Sequence, residues 1–120
     1  MNLTLELSGN SLLWAILVAE EFEPYIHTKI TEDEKKDKIT THFVKSKIRE
    51  ITIISWSTFG HLLERENILV RREENNFLAT TLKDILYSAC GASYLESAMR
   101  CYVLSKLGKE IEIPNQLLNN

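Results

Sequence analysis

Residues 93–114 constrain the fold more tightly than any other part of the chain. Ser93 and Glu96 stand in the S-x-x-E arrangement, in which a hydroxyl and a carboxylate each satisfy an otherwise unpartnered backbone N–H of a first helical turn. Leu95, Ala98, Met99, Tyr102, Val103 and Leu107 then recur at helical spacing on one stripe, while Glu96, Arg100 and Lys106 fall off it. Gly108 can take the left-handed stop conformation, and Lys109-Glu110-Ile111-Glu112-Ile113-Pro114 alternates beyond it. The pattern predicts a capped amphipathic helix with one face in a core, followed by an extended segment.

A second helix is predicted near the N-terminus. Leu12 to Ala19 is apolar on every face, Glu20-Glu21-Phe22-Glu23 continues it, and Pro24 cannot extend the hydrogen-bond ladder. This reads as a buried helix of about 13 residues, capped at Ser8 or Asn10. Before it, Leu3, Leu5 and Leu7 alternate with polar residues from Asn2 to Leu7, as in a short edge strand.

The middle of the chain carries strand signals and one charged run. Residues 31–38 read as a charged surface loop, because Glu32 to Lys38 is charged throughout with both signs mixed. Thr31-Glu32-Asp33-Glu34 also spells a capping box that would open a helix there. Lys45 to Trp56 is rich in isoleucine among Thr and Ser, which favours a strand. Ser57 or Thr58 would then cap a short helix with Phe59, Leu62 and Leu63 inward. The runs 68–72 and 77–81 flank Glu73-Glu74-Asn75-Asn76, which reads as a hairpin with a four-residue polar loop. The expected class is α+β: a single compact domain spanning 1–120, with a small antiparallel sheet packed by an N-terminal buried helix and a C-terminal amphipathic helix.

Length and charge narrow the function. A domain of 120 residues buries roughly two-thirds of the surface its unfolded chain exposes, so a core forms without staples. The net charge of −3 disfavours a nucleic-acid partner, which requires a basic stripe to neutralise phosphates. Cys90 and Cys101 are the only cysteines, too few for a secreted disulfide scaffold, and reduced thiols are expected, Cys101 as a small packing group. The longest apolar run, Leu12 to Ala19, falls well short of the roughly 20 residues that cross a bilayer. With no secretion signal at the N-terminus, no membrane association and a cytoplasmic location are expected.

Motifs that carry chemistry are missing. Glycines stand only at 9, 60, 91 and 108, so neither a P-loop nor a dinucleotide fingerprint can be assembled. His27, His42 and His61 lack the short spacing of zinc ligands, and G-x-S-x-G does not occur. No catalytic residue, metal or cofactor is expected. The densest polar cluster is Ser55 to His61 followed by Glu64-Arg65. Read functionally, Trp56, Ser57, Thr58, Gly60, His61 and Arg65 form a ligand- or partner-binding turn whose helix N-terminal amides would hold an anion. Read structurally, Ser57 or Thr58 caps a helix, Trp56 anchors the core, and Glu64-Arg65 is a solvated pair; the structural reading is the preferred one.

Three blocks resemble the NinX-like family of small phage and prophage proteins, a domain of unknown function. Glu6-Leu7-Ser8-Gly9-Asn10-Ser11-Leu12-Leu13-Trp14-Ala15 is similar to the family's opening E-L-T-G-x-x-L-x-W-A. Ser55 to Thr58 and Gly60 to Ile68 resemble its S-x-S-T and G-G-P-L-I-E-R-E-x-I segment. Ala98 to Pro114 is close to its ending A-A-M-R-C-Y-V-A-S-K-x-G-D-x-V-E-V-P. The chain departs where the Gly-Gly-Pro turn becomes Gly60-His61-Leu62 and where the charged run 31–38 is inserted. The resemblance implies an accessory protein made in the bacterial host cytoplasm, dispensable to virion architecture and without an established reaction. The leading expectation is therefore a non-enzymatic binder of a host or phage protein, for host modulation or anti-defence. Two alternatives stand beside it: a small anion- or nucleotide-binding protein, and an immunity protein or antitoxin using Glu20-Glu21-Glu23 or the charged run.

Overall fold

The C-terminal amphipathic helix is the element against which the others are laid. The computed structural model describes residues 1–30, 35–42, 48–51 and 54–118, of which 27–30, 35–42 and 48–51 are described through their backbone. It has an α+β fold with helices α1 (Gly9–Ala19), α2 (Trp56–Phe59), α3 (His61–Arg65) and α4 (Tyr94–Leu107). Strands are β1 (Asn2–Leu3), β2 (Tyr25–Ile30), β3 (Lys35–His42), β4 (Ile48–Ile51), β5 (Leu69–Arg72), β6 (Phe77–Leu82), β7 (Leu86–Gly91) and β8 (Glu110–Ile111). The single small sheet expected from sequence is resolved into three antiparallel ones: β1-β8, β2-β3-β4 and β5-β6-β7.

Helix α4 packs on one face of β5-β6-β7, and α1 packs against α4. Ala98, Met99, Cys101, Tyr102 and Val103 are wholly buried between them, with Leu12, Leu13, Ala15, Ile16 and Leu17 from α1. The helix approaches β7 closely because the sheet offers small residues there. A Cβ on Gly91 would lie 2.6 Å from the Ser97 nitrogen, a distance no side chain tolerates. The start of α4 is built as expected: Ser93 Oγ accepts the Glu96 N–H at 3.1 Å, and Glu96 Oε1 accepts the Ala92 N–H at 3.0 Å. Gly108 stops the helix at φ 89°.

Helix α1 is capped by Ser8 and is shorter than expected, ending at Ala19 instead of continuing through Glu20-Glu21-Phe22-Glu23. The Glu21 N–H bonds Val18 O at 3.0 Å and the Phe22 N–H bonds Leu17 O at 3.0 Å, with Glu21 at φ 61°. That is a Schellman closure with glutamate at the left-handed position usually held by glycine. Helix α3 ends the same way. The Asn67 N–H meets Glu64 O at 3.3 Å, the Ile68 N–H meets Leu63 O at 2.8 Å, and Asn67 has φ 54°.

Three further expectations are corrected, and one strand is added. The N-terminal strand stops at Leu3, and Thr4–Glu6 forms a 3-10 turn. Thr4 is wholly buried, its hydroxyl donating to Gly108 O at 2.6 Å and its N–H to Lys109 O at 2.8 Å. Leu3 and Leu5 are left about half exposed. Within the run read as a loop, residues 35–38 belong to β3, paired antiparallel with β2 from Lys35↔Ile30 to Lys38↔His27, so a ladder carries half of their backbone groups; residues 31–34 lie outside the described residues. Of the strand expected over Lys45 to Trp56, the described residues hold Ile48–Ile51, with Trp56 already helical; residues 45–47, 52 and 53 lie outside the described residues. The third strand of the main sheet, Leu86–Gly91, was not anticipated. The hairpin of β5 and β6 forms with 73–76 as its loop, in register from Leu69↔Thr80 to Arg72↔Phe77.

Candidate functional site

The turn singled out in the sequence starts one step earlier than expected. Ser55, in extended conformation, is the N-cap of α2, and its Oγ accepts the Thr58 N–H at 3.3 Å. Its hydroxyl also contacts Thr58 Oγ1 at 3.0 Å and Ser57 Oγ at 3.2 Å. Neither Ser57 nor Thr58 is therefore the cap. Helix α2 is a single turn of four residues, and Ser55 has already taken one of the few amide donors such a turn offers an anion.

Gly60 separates α2 from α3. Its N–H bonds Trp56 O at 2.8 Å, and a Cβ there would lie 2.6 Å from that oxygen and 3.1 Å from Trp56 Cε3. Glycine thus allows the indole to lie along the backbone at the junction. Phe59 and Leu62 fill the core beside it, at 2% and 0% exposure, whereas Trp56 is 53% exposed. Trp56 is not a core anchor, because Phe59 holds that place. The indole instead packs on Tyr94 at the start of α4, with ring centroids 5.4 Å apart and an interplanar angle of 41°. Tyr94 in turn meets Phe77 of β6 edge-on at 6.1 Å. Three aromatic rings from three elements make a continuous row, and Tyr94 is itself 40% exposed. Next to the row, Ser93 and Leu95 flank Tyr94 and line a cavity of about 280 Å³ with Leu12, Leu13 and Ile54. Asn10 and Glu96 add polar groups to the same cavity.

His61 and Arg65 belong to a different arrangement. Arg65 donates from Nη1 and Nη2 to the two oxygens of Glu20 at 3.1 and 2.8 Å, and from Nε to Glu66 Oε2 at 2.9 Å. Tyr102 donates its hydroxyl to Glu20 Oε2 at 2.7 Å and accepts from Arg65 Nη2 at 3.2 Å. Lys106 and Lys83 reach Glu66 Oε1 at 3.0 and 3.3 Å, and the Glu66 carbonyl accepts from Thr81 Oγ1 at 2.8 Å. The expected solvated Glu64-Arg65 pair is replaced by this network, because Arg65 has two nearly buried carboxylates to neutralise.

The electrostatics follow from that shielding. Burial pushes the Glu66 carboxyl up, but the hydrogen bonds from Lys106, Arg65 and Lys83 outweigh it and bring it down to about 2. Glu20 is lowered for the same reason, burial being outweighed by Arg65 and Tyr102, with a further contribution from the charge of His61. Burial and the bond to Glu20 raise the Tyr102 phenol. Both carboxylates stay ionised and the phenol stays protonated at neutral pH, so the network locks α1, α3, the end of β6 and α4 together. Glu20 is consequently spent inside the fold and does not belong to the exposed acidic surface of Glu21 and Glu23.

The six residues selected from sequence therefore divide. Trp56, Ser57, Thr58 and Gly60 lie on the aromatic side, and His61 and Arg65 lie toward Glu20. Sequence reasoning missed Tyr94 and Phe77. The available signal was Tyr94 itself, a large aromatic in the first turn of α4 but off its apolar stripe. Cys101 is buried and its thiol is pushed up to about 11 by burial, with Lys83 and Thr81 pulling the other way, while Cys90 is exposed. Among the described residues, no group of three or more His, Cys, Asp or Glu is placed to hold a metal ion, and no helix is long and apolar enough to cross a membrane. Comparison with known proteins finds no family model that matches the chain and no match among curated proteins.

Proposed function

We propose that this chain is a phage or prophage accessory protein that acts by binding a host or phage protein in the bacterial cytoplasm, without chemistry of its own. The observation that carries the reading is the row Trp56, Tyr94 and Phe77, whose first two rings stand 53% and 40% exposed beside an apolar cavity. Tryptophan and tyrosine are the side chains most often found at the energetic centre of protein interfaces, where a large ring is buried against a partner pocket. An uncovered tryptophan held by a neighbouring ring and by a glycine junction is already ordered for that purpose. The cavity beside it, floored by Leu12, Leu13 and Ile54 and rimmed by Asn10, Ser93 and Glu96, is of a size for one or two apolar side chains of the partner. The resemblance of three sequence blocks to the NinX-like family supports the phage origin, and the acidic balance of the chain agrees with a protein partner in preference to nucleic acid.

The test is a comparative capture from phage-infected or lysogenic cells, with the full chain and its Trp56→Ala and Tyr94→Ala variants as baits. Circular dichroism and a urea midpoint establish that the variants fold. A partner recovered by the native chain and lost by both variants, then bound by the purified chain in calorimetry, supports the reading. Recovery unchanged by either substitution, or no partner at near-native abundance, overturns it.

A further inference from the structure

The charged run 31–38 mixes its signs along the sequence, but strand pairing sorts them. Ile26, Ile39 and Ile51 stand opposite one another across β2, β3 and β4, and Ile26 packs against the core. Period two assigns Lys35 and Asp37 to the face that carries this isoleucine row. Lys36 and Lys38 fall on the opposite face, where the register sets Lys36 against Lys29 and Lys38 against His27. Strand β4 pairs with 39–42 of β3, so among the described residues this quartet lies on a two-stranded ribbon.

Like charges directly opposite each other destabilise an antiparallel pair, and Lys29 and Lys36 are such a pair. Opposed residues are about 5 Å apart and alternate residues of one strand roughly 7 Å apart, so three lysines and a histidine occupy one small rectangle. Within the paired residues of the ribbon no acid stands opposite or diagonal to them. Asp37 is on the other face, and Glu32, Asp33 and Glu34 fall outside the described residues. Glu50, opposite Thr40, stands at the Lys38 end of the array. The net charge of −3 conceals this arrangement, because residues 29–50 hold seven of the fourteen lysines and arginines but five of the seventeen acids.

We propose that this face of the ribbon holds the sugar–phosphate backbone of a single-stranded nucleic acid. An anion laid between the opposed lysines relieves the repulsion that the register builds in. The evenly repeated positions of Lys29, Lys36 and Lys38 suit a polymer that carries one charge per unit, and the repeat of an extended single strand is of comparable length. Lysine, with no arginine at these positions, suits phosphate, which takes a point charge from any direction. Carboxylates of an acidic protein are better matched by arginine's planar fork. The face shares no residue with the aromatic row, so the two surfaces stand or fall separately.

Fluorescence anisotropy of the full chain with labelled oligothymidine and oligouridine of about 12 nucleotides tests the proposal. Binding of either strand is expected, with a slope of log K against log salt of about −2, since each of three phosphates neutralised on a single strand contributes about −0.7. Lys29→Ala, Lys36→Ala or Lys38→Ala should each weaken binding roughly three- to tenfold at low salt and flatten the slope by about 0.7. Lys35→Ala, next in sequence but on the other face, and Lys109→Ala, outside the ribbon, should leave both unchanged. The urea midpoints of Lys29→Ala and Lys36→Ala should hold or rise, because each removes a like-charge pair. Glutamine at the same positions keeps the side-chain stem and reads the same loss if alanine disturbs the hairpin. No binding at low salt overturns the proposal, as do equal losses in Lys35→Ala and Lys36→Ala, which would trace the attraction to the charged run as a whole. Tighter binding of a duplex, or equal displacement by poly-glutamate, which would mark an acidic protein as the occupant, also overturns it.

Discussion

Tyr102 donates its hydroxyl to Glu20 at 2.7 Å across 82 positions of sequence, and this bond joins the end of α1 to the middle of α4. Both residues sit where the two buried helices meet, and Arg65 from α3 completes the triangle. The Tyr102 ring is wholly buried, so its hydroxyl needs a partner inside the fold and Glu20 supplies a charged one. Removing the hydroxyl while keeping the ring isolates the contribution of that bond. Tyr102→Phe should lower the unfolding free energy by about 1–2 kcal/mol, near the lower part of the range for a hydrogen bond to a charged group, since Arg65 continues to neutralise Glu20. Urea denaturation measures it. A change within a few tenths of a kcal/mol would show that the bond contributes nothing net.

The Glu66 carboxylate makes an acid-limb prediction with a definite sign. Its pKa falls from 4.5 unfolded to about 2 folded, so its contribution is complete above about 4.5 and is lost as pH falls through about 2. The shift corresponds to at most about 3 kcal/mol, reduced in practice because Lys83 and Lys106 are one-third or more solvent exposed. Glu66→Gln should therefore flatten the loss of stability between pH 4.5 and 2 and lower stability at neutral pH. Equilibrium unfolding at a series of pH values checks both effects. An acid limb identical in the variant would place the carboxylate outside the network.

How much of this was legible in the sequence depended on how local the cause was. The cap at Ser93 with Glu96, the stop at Gly108 and the β5-β6 hairpin each rest on residues within one turn of one another, and each is where the residue pattern places it. The end of helix α1 carries no ordinary stop signal, because Glu21 and not glycine takes the left-handed position. The β2-β3 hairpin was hidden because mixed charge over 32–38 masks the period-two pattern of a strand. The burial of Thr4 has no local signal, because its partner, Gly108 O, lies 104 positions away. The candidate site was half legible. Trp56 stood out as an aromatic at a turn, but Tyr94 and Phe77 come beside it only through the packing of α4 on the sheet, and no spacing rule connects them.

Glu21 offers a test of the Schellman closure. A non-glycine residue in the left-handed region costs roughly 1–2 kcal/mol, and glycine removes that strain while adding about 0.5–1 kcal/mol of chain entropy to be lost. Glu21 is exposed, which leaves the backbone term to dominate. Glu21→Gly should raise stability by up to about 1 kcal/mol, whereas Glu21→Ala, retaining the Cβ, should not. Thermal and urea midpoints of the pair distinguish them. Destabilisation by glycine alone would mean that the glutamate side chain stabilises the closure.

Gly60 couples local backbone geometry to the aromatic row. Any Cβ at this position meets both the Trp56 carbonyl, at 2.6 Å, and the indole edge, at 3.1 Å. The carbonyl is fixed by the Gly60 N–H bond at 2.8 Å, so the turn of α2 or the ring must shift. Because Trp56 is 53% exposed, moving the ring costs little core packing, and the main effect should fall on its contact with Tyr94. Gly60→Ala is expected to keep the cooperative fold, with a loss of about 1–2 kcal/mol typical of inserting a methyl into a tight contact. It should also change the quenching of Trp56 by added acrylamide and the near-ultraviolet dichroism. Trp14 is the other tryptophan, and it is partly buried against the core, so a Trp14→Phe background isolates the signal. Partner affinity should fall in Gly60→Ala nearly as far as in Trp56→Ala. Unaltered quenching with full stability would show that the α2–α3 junction accommodates a side chain without moving the indole, and the glycine would then have no part in presenting Trp56.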